Sequence, residues 1–160
     1  MSQPASPHVS TFSSYILQSV AVVDRVGTRP RVTARAHRAG LVVSAIPVLF
    51  LAMDASMKLF GLAAASEATA QLGWPAHLLF PLGVLQLLCL GLYLLPQTSV
   101  LGAVLWTGYL GGAVATHVRL GNPLFSHSLF PVYVGGLLWL GLWLRDVRVR
   151  QVLPLTTARS

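Results

Sequence analysis

Four long apolar runs, almost free of charge, decide what this chain can fold into. They extend from about Ala39 to Phe60, Ala76 to Leu95, Ser99 to Val118 and His127 to Leu144. A helix rising about 1.5 Å per residue crosses a hydrocarbon core of roughly 30 Å in about 20 residues. Inside lipid each segment must satisfy its own backbone N–H and C=O groups. None of the runs alternates in the pattern of a membrane β-strand, so they predict helices. Charged residues make up only 9% of the 160 and apolar residues 54%. A soluble domain carries about 25% charge, and this chain has too little to cover a surface facing water.

The connections are short. Pro96-Gln97-Thr98 joins the second run to the third, and Gly121-Asn122-Pro123 is a turn signal between the third and fourth. The longest, Gly61 to Pro75, leaves room for a short amphipathic helix around Ala63 to Leu72. Short loops make consecutive helices antiparallel neighbours. The expected fold is therefore all-α, an integral membrane four-helix up-down bundle over residues 39–146. Arg25, Arg29, Arg31, Arg35 and Arg38 precede the first run, and Arg145, Arg148, Arg150 and Arg159 follow the last, whereas the other side holds only Lys58 and Arg119. Positive residues stay in the cytoplasm, so both termini are expected inside, in the inner (plasma) membrane. Trp74, Trp139 and Trp143 sit near span ends at headgroup level, while Trp106 lies deeper and reads as packing between helices.

Residues 1–38 read as a basic, flexible cytoplasmic segment whose apolar stretch Tyr15 to Val23 predicts one or two interfacial helical turns. No positive charge precedes that stretch and no small-residue cleavage pattern follows it, unlike a secretory signal. Residues 147–160 read as a cytoplasmic tail. The net charge of +7 sits at the two ends of the chain with no aromatic-interleaved basic surface, so nucleic acid is not an expected partner. Cys89 is the single cysteine and lies in an apolar run, where it reads as a small hydrophobe; no CxxC pair is present.

Between Ala39 and Leu144 the formal charges are Asp54, Lys58, Glu67 and Arg119. In the expected topology all four fall toward the non-cytoplasmic side, together with His77, His117 and His127. Asp54 and Lys58 stand four apart and share a helix face. One charge at the centre of a span costs about 2.5–3.5 kcal/mol on insertion scales, which calls for a partner. Two readings stand side by side. The first is an ion pair that locks the bundle, joined by Arg119, with Lys58 snorkelling outward. The second is a polar pocket of Asp54, Lys58, His117 and Arg119, with Glu67, His77, Tyr109 and His127 around it, receiving a headgroup, a quinone or a proton. The histidines lack the i, i+4 spacing of a ligand pair, and no metal is expected. Gly108, Gly111 and Gly112 belong to a small-residue stretch of the third run in which Gly108 and Gly112 form a GxxxG. Such spacing lets helix backbones approach closely, within the chain or in a homodimer.

Met53-Asp54-Ala55-Ser56-Met57-Lys58-Leu59-Phe60, Leu72-Gly73-Trp74-Pro75, Leu92-Tyr93-Leu94-Leu95-Pro96, the run Gly102 to Arg119 and Trp139-Leu140-Gly141-Leu142-Trp143-Leu144-Arg145-Asp146 follow one another in order. Together they resemble the DoxX-like family of small bacterial membrane proteins, over about residues 42 to 150. The resemblance implies a four-helix transmembrane bundle and marks Lys58, His117 and Arg119 as polar landmarks. The family name derives from a subunit of quinone-linked oxidoreductases, and most members carry no assigned activity. The leading expectation is an accessory membrane subunit, not a catalyst on its own, with a quinone as its cofactor and a redox protein and the lipid bilayer as partners. A small dimeric transporter and a purely structural membrane protein are the alternatives.

Overall fold

In a computed structural model of the chain, the described residues are 32–153, with Gln18 alone before them. The expected interfacial turns at Tyr15 to Val23, the first three arginines and Arg159 lie outside them. Residues 32–153 lie within one compact unit. Its helices are α1 (Ala34–Leu59), α2 (Ala63–Gln71), α3 (Leu79–Leu94), α4 (Ser99–Arg119), α5 (Phe130–Arg145) and α6 (Val147–Val152). A 3₁₀ turn at Ala76–Leu78 leads into α3, and a π-type turn at Leu124–Ser128 leads into α5.

The four spans are long and apolar enough to cross a membrane: Ala34–Leu59, Ala76–Leu94, Ser99–Arg119 and Leu124–Arg145. Only 28–33% of the residues in their apolar windows are buried inside the bundle. Leu41, Val42, Ile46, Leu49, Leu88, Leu101 and Val132 instead point outward. An outer surface of this kind needs hydrocarbon as its solvent. Four such helices make the chain a multi-pass membrane helical bundle.

The first span begins five residues earlier than the apolar run, so Arg35 and Arg38 are helical. Thr33 sets that start: its hydroxyl accepts the Ala36 N–H at 3.3 Å as an N-cap. The fourth run enters its span through the π-type turn, where Leu129 N–H donates to Leu124 O at 2.8 Å. Pro131 occupies the first turn of α5, where its missing N–H costs nothing. The Gly61–Pro75 connection does hold its short helix, α2.

Helices α1, α2 and α4 end by one device. Gly61, Gly73 and Gly121 adopt φ of 61°, 75° and 66°. The next N–H in each case reaches back over the turn, from Leu62 to Met57 O, Trp74 to Thr69 O and Asn122 to His117 O, at 3.0–3.1 Å. This double-bonded Schellman cap satisfies the last carbonyls and turns the chain sharply.

Each span turns one narrow stripe inward. On α1 it is Gly40, Ser44, Pro47, Leu51 and Ala55; on α3 it is Leu79, Gly83, Gln86, Cys89, Leu90 and Tyr93. On α4 it is Ser99, Gly102, Ala103, Trp106 and Leu110; on α5 it is Pro131, Val134, Leu138, Gly141 and Leu142. α1 packs against α5 and α3, and α4 closes the ring between α3 and α5.

Small residues set the closest approaches. A Cβ on Gly102 would land on the backbone of Tyr93, and one on Gly141 on Ser44; one on Gly40 would stand 2.7 Å from Gly141 O. The expected close packing at Gly108, Gly111 and Gly112 is not made within the chain, for a Cβ at any of them would meet nothing within 4 Å. The reason is register: Gly102, two turns earlier on α4, makes the tight contact, while Gly108 and Gly112 border an open cavity.

At one end of the bundle a buried network ties three spans together. The Tyr93 hydroxyl donates to Leu138 O at 2.8 Å and stands 3.0 Å from Ser44 Oγ. A phenol has one hydrogen to give, so Ser44 is the donor to Tyr93. The Arg145 guanidinium lies over the Tyr93 ring, 4.8 Å from its centre, and bonds Tyr93 O at 3.3 Å. Arg148 donates to Pro96 O at 2.7 Å, and Arg150 to Trp143 O and Leu144 O at 2.7 and 2.8 Å. These arginines neutralise the negative C-terminal ends of α3 and α5. The expected tail begins as helix α6, capped by Asp146, which accepts the Arg148 N–H at 2.9 Å.

Candidate functional site

The opposite half of the bundle is built differently. α1 carries Asp54 and Lys58 one turn apart, and their charged groups are bonded to each other. The Lys58 side chain is 13% exposed and that of Asp54 33%. Lysine therefore folds back onto its partner rather than snorkelling outward. The same Asp54 oxygen, Oδ2, accepts the Gln86 Nε2–H from α3 at 2.6 Å. Gln86 is buried, 1% exposed, and its carbonyl oxygen Oε1 has no partner among the described residues. The carboxylate dictates this orientation, because only the amide nitrogen can donate to it.

Asp54, Lys58 and Gln86 line a cavity of about 370 Å³. Its wall continues through Tyr109 and His117 on α4, and Phe130, Pro131 and Val134 on α5, with Thr69 of α2 and Leu72 just after it also against it. Most of this lining is apolar, and the polar groups converge from α1, α3 and α4. Binding sites for small molecules have this character and run from about 300 to 1,000 Å³. Phe50, Gly108, Gly112 and Phe130 are lining residues that are also exposed. Gly108 lies midway along α4, so the cavity opens on the flank of the bundle. Phe50 and Phe130 meet edge to face there, with ring centres 5.3 Å apart.

His117 is held by the loop that follows it. Asn122 Nδ2 stands 2.9 Å from His117 Nδ1, and the Asn122 N–H closes the cap on His117 O. An amide nitrogen only donates, so Nδ1 accepts and the proton of the neutral ring resides on Nε2. Tyr109 makes no hydrogen bond through its hydroxyl among the described residues; its ring meets Trp106 edge to face at 5.5 Å. The donors available to an occupant are therefore the unused N–H groups of Lys58, the Tyr109 hydroxyl and His117 Nε2–H. The donor set and volume fit a quinone headgroup, whose carbonyl oxygens only accept.

The other expected residues are placed elsewhere. Arg119 lines a separate cavity of about 400 Å³ with Gly73, Trp74, Pro75 and Leu78. It donates to Leu72 O at 3.0 Å and makes no ion pair with Asp54. Its task is local: it pins the end of α2, far enough along α4 to face away from Asp54. Glu67 on α2 and His77 on the 3₁₀ turn are exposed and outside the Asp54 cavity. His127 is exposed too, its ring 6.0 Å from that of His117 and its Nδ1 2.8 Å from Ser126 Oγ. Among the described residues no three His, Cys, Asp or Glu side chains gather as a metal site.

Two participants escaped the reading of the sequence as site residues. Gln86 is a strongly polar residue inside its run, and its place on the stripe Leu79, Gly83, Gln86, Tyr93 is the signal that it points inward. Asn122 read only as a turn residue. Nothing in the spacing tells that its side chain reaches His117.

No curated protein and no solved structure shows a significant match to the chain. The DoxX-like family matches it over residues 42–141, more than half of its length, from the first turns of α1 to Gly141. That stretch contains Asp54, Lys58, Gln86, Tyr109 and His117 on three consecutive spans, and on this match the chain belongs to the DoxX-like family.

Proposed function

We propose that this protein is an accessory membrane subunit that holds a quinone in the Asp54 cavity and presents it to a redox partner. In this reading the spans run alternately up and down in the inner membrane, with both termini cytoplasmic. The start of α1 meets the end of α5 at Gly40 and Gly141, and the end of α1 meets the start of α3 at Ala55 and Gly83, which supports alternation. The excess of arginine before α1 and after α5 supports the orientation.

The observation that carries the reading is the convergence of Lys58, Tyr109 and His117 on one mostly apolar cavity open to the flank. A quinone, when bound, supplies two-electron, two-proton carrier chemistry. Lys58 and His117 Nε2–H orient its acceptor oxygens. Leu110, Phe130 and Val134 exclude water from the ring. Asp54 and Gln86 hold Lys58 in place, and the flank lets an isoprenoid tail remain in lipid.

The test is equilibrium binding of a short-chain benzoquinone to the purified chain in detergent. Lys58→Ala and His117→Ala are each expected to weaken binding about tenfold, the loss of one hydrogen bond to a dry site, with the helical signal unchanged. Unchanged binding in both variants removes the reading.

A further inference from the structure

The donors around the cavity suit an acceptor ligand, but one group in it demands the opposite. Among the described residues Gln86 Oε1 is a buried acceptor with no partner, in a residue 1% exposed, at the edge of a cavity large enough for an occupant. Buried carbonyl oxygens are nearly always satisfied, and an orphan marks a missing donor. The amide cannot turn to relieve it. Rotation would place Oε1 against the Asp54 carboxylate and forfeit the 2.6 Å bond from Nε2. Asp54 is in turn committed to Lys58. The chain Lys58–Asp54–Gln86 therefore runs from an ammonium at one end to an unpaired carbonyl at the other, and fixes which end of the amide is free.

We infer that the ligand of this cavity carries a hydroxyl group that donates to Gln86 Oε1. The class is an apolar ring or chain with a phenolic or alcoholic O–H, reaching the cavity laterally from the hydrocarbon past Gly108 and Gly112. This rests on the preceding reading that the cavity is a binding site and sharpens it. If the occupant cycles between a quinone and a quinol, the site favours the quinol, because only that form has a hydrogen to give Gln86. Lys58, Tyr109 and His117 then serve the remaining oxygens, since a hydroxyl also accepts.

The test uses two redox-inert probes, para-pentylphenol and its methyl ether, which share a ring and tail and differ in the O–H. Binding to the full chain in detergent is measured by calorimetry. The wild type is expected to bind the phenol about tenfold more tightly than the ether. Gln86→Met, which keeps the volume but removes the acceptor, is expected to bring the ratio close to one while retaining ether binding. Gln86→Asn, which withdraws the oxygen by one carbon–carbon bond, is a second variant with the same expected fall. A wild-type ratio of one, or a ratio undiminished in the folded variants, overturns the inference. If the benzoquinone binds and the two probes do not differ, this inference falls and the quinone reading stands. If the phenol preference depends on Gln86 but benzoquinone fails to bind, the quinone reading falls alone. If none of the three binds, both fall.

Discussion

Tyr93 gives its one hydroxyl hydrogen to the carbonyl of Leu138, 2.8 Å away on another span, and accepts from Ser44 on a third. Its residue is 0% exposed. Removing the oxygen strands the Ser44 hydroxyl in a place water does not reach. Tyr93→Phe is expected to lower stability by about 1–3 kcal/mol, read as an earlier thermal melt in detergent. Ligand binding at the Asp54 cavity is expected to be unaffected, since none of these groups lines it.

Glycines of one helix are expected to respond in opposite ways. Gly102→Ala forces α3 and α4 apart, because its methyl would fall on Tyr93 backbone atoms; overpacking of that kind costs about 1–3 kcal/mol. Gly108→Ala meets open space and gains helix propensity, stabilising by up to about 1 kcal/mol. Melting curves of the two variants, side by side, check the contrast. Equal shifts would show that the α3–α4 contact is looser than described.

Lys58→Met leaves the Asp54 carboxylate, two-thirds covered, with Gln86 as its one remaining partner among the described residues. Breaking a buried ion pair from one side costs about 3–5 kcal/mol, and the partial exposure here places the expected loss near or below the lower figure. The double variant Asp54→Leu with Lys58→Met removes both charges and is expected to recover most of the stability without recovering quinone binding. Denaturation and binding measured on the same preparations separate the two roles. Recovery of binding in the double variant would leave the pair as a lock and nothing more.

Asp146 gives the pH dependence a location outside the membrane. The Arg148 guanidinium bonded to it holds its carboxyl below the ordinary value of 3.8, and the capped Arg148 N–H adds to this, against a partial burial that opposes it. A depressed carboxylate stabilises the folded form fully above its unfolded value and loses that contribution as pH falls through the folded one. Helix α6 is thus expected to hold from neutral pH to about pH 4 and to fray below that. Amide exchange at Val149 to Leu153 should rise only in the acid range, and Asp146→Asn should show the faster exchange at neutral pH.

The helices were legible because lipid leaves a chain few options. Run length and lack of alternation are enough to mark four spans, and the apolar windows match the observed helices to within a few residues. Capping chemistry moved the ends. Thr33 extends α1 backward, and the π-type turn at Leu124–Ser128 delays the start of α5. Charge identified Asp54 and Lys58 as partners, since four residues on a helix place them on one face. The grouping of Arg119 with them did not hold, because two residues beyond His117 on α4 rotate the side chain by about half a turn of helix, onto the α2 end. The glycines misled for a related reason. Spacing shows that Gly108 and Gly112 share a face, but not whether a neighbouring helix or an empty volume lies opposite. Gln86 became informative only with its partner known: its unpaired oxygen follows from Asp54 claiming the nitrogen, a relation across 32 positions of sequence.

The knot of Gly40, Ser44, Tyr93, Gly141 and Arg145 fastens one end of the bundle by close backbone contacts and buried hydrogen bonds. On the proposed reading, opening of the flank between Phe50 and Phe130 is expected as a splaying of the opposite halves of α1, α4 and α5 about that end. A guest would then come and go by this route while the spans stay associated, with the three glycine caps and the two turns at the other end bounding how far they spread.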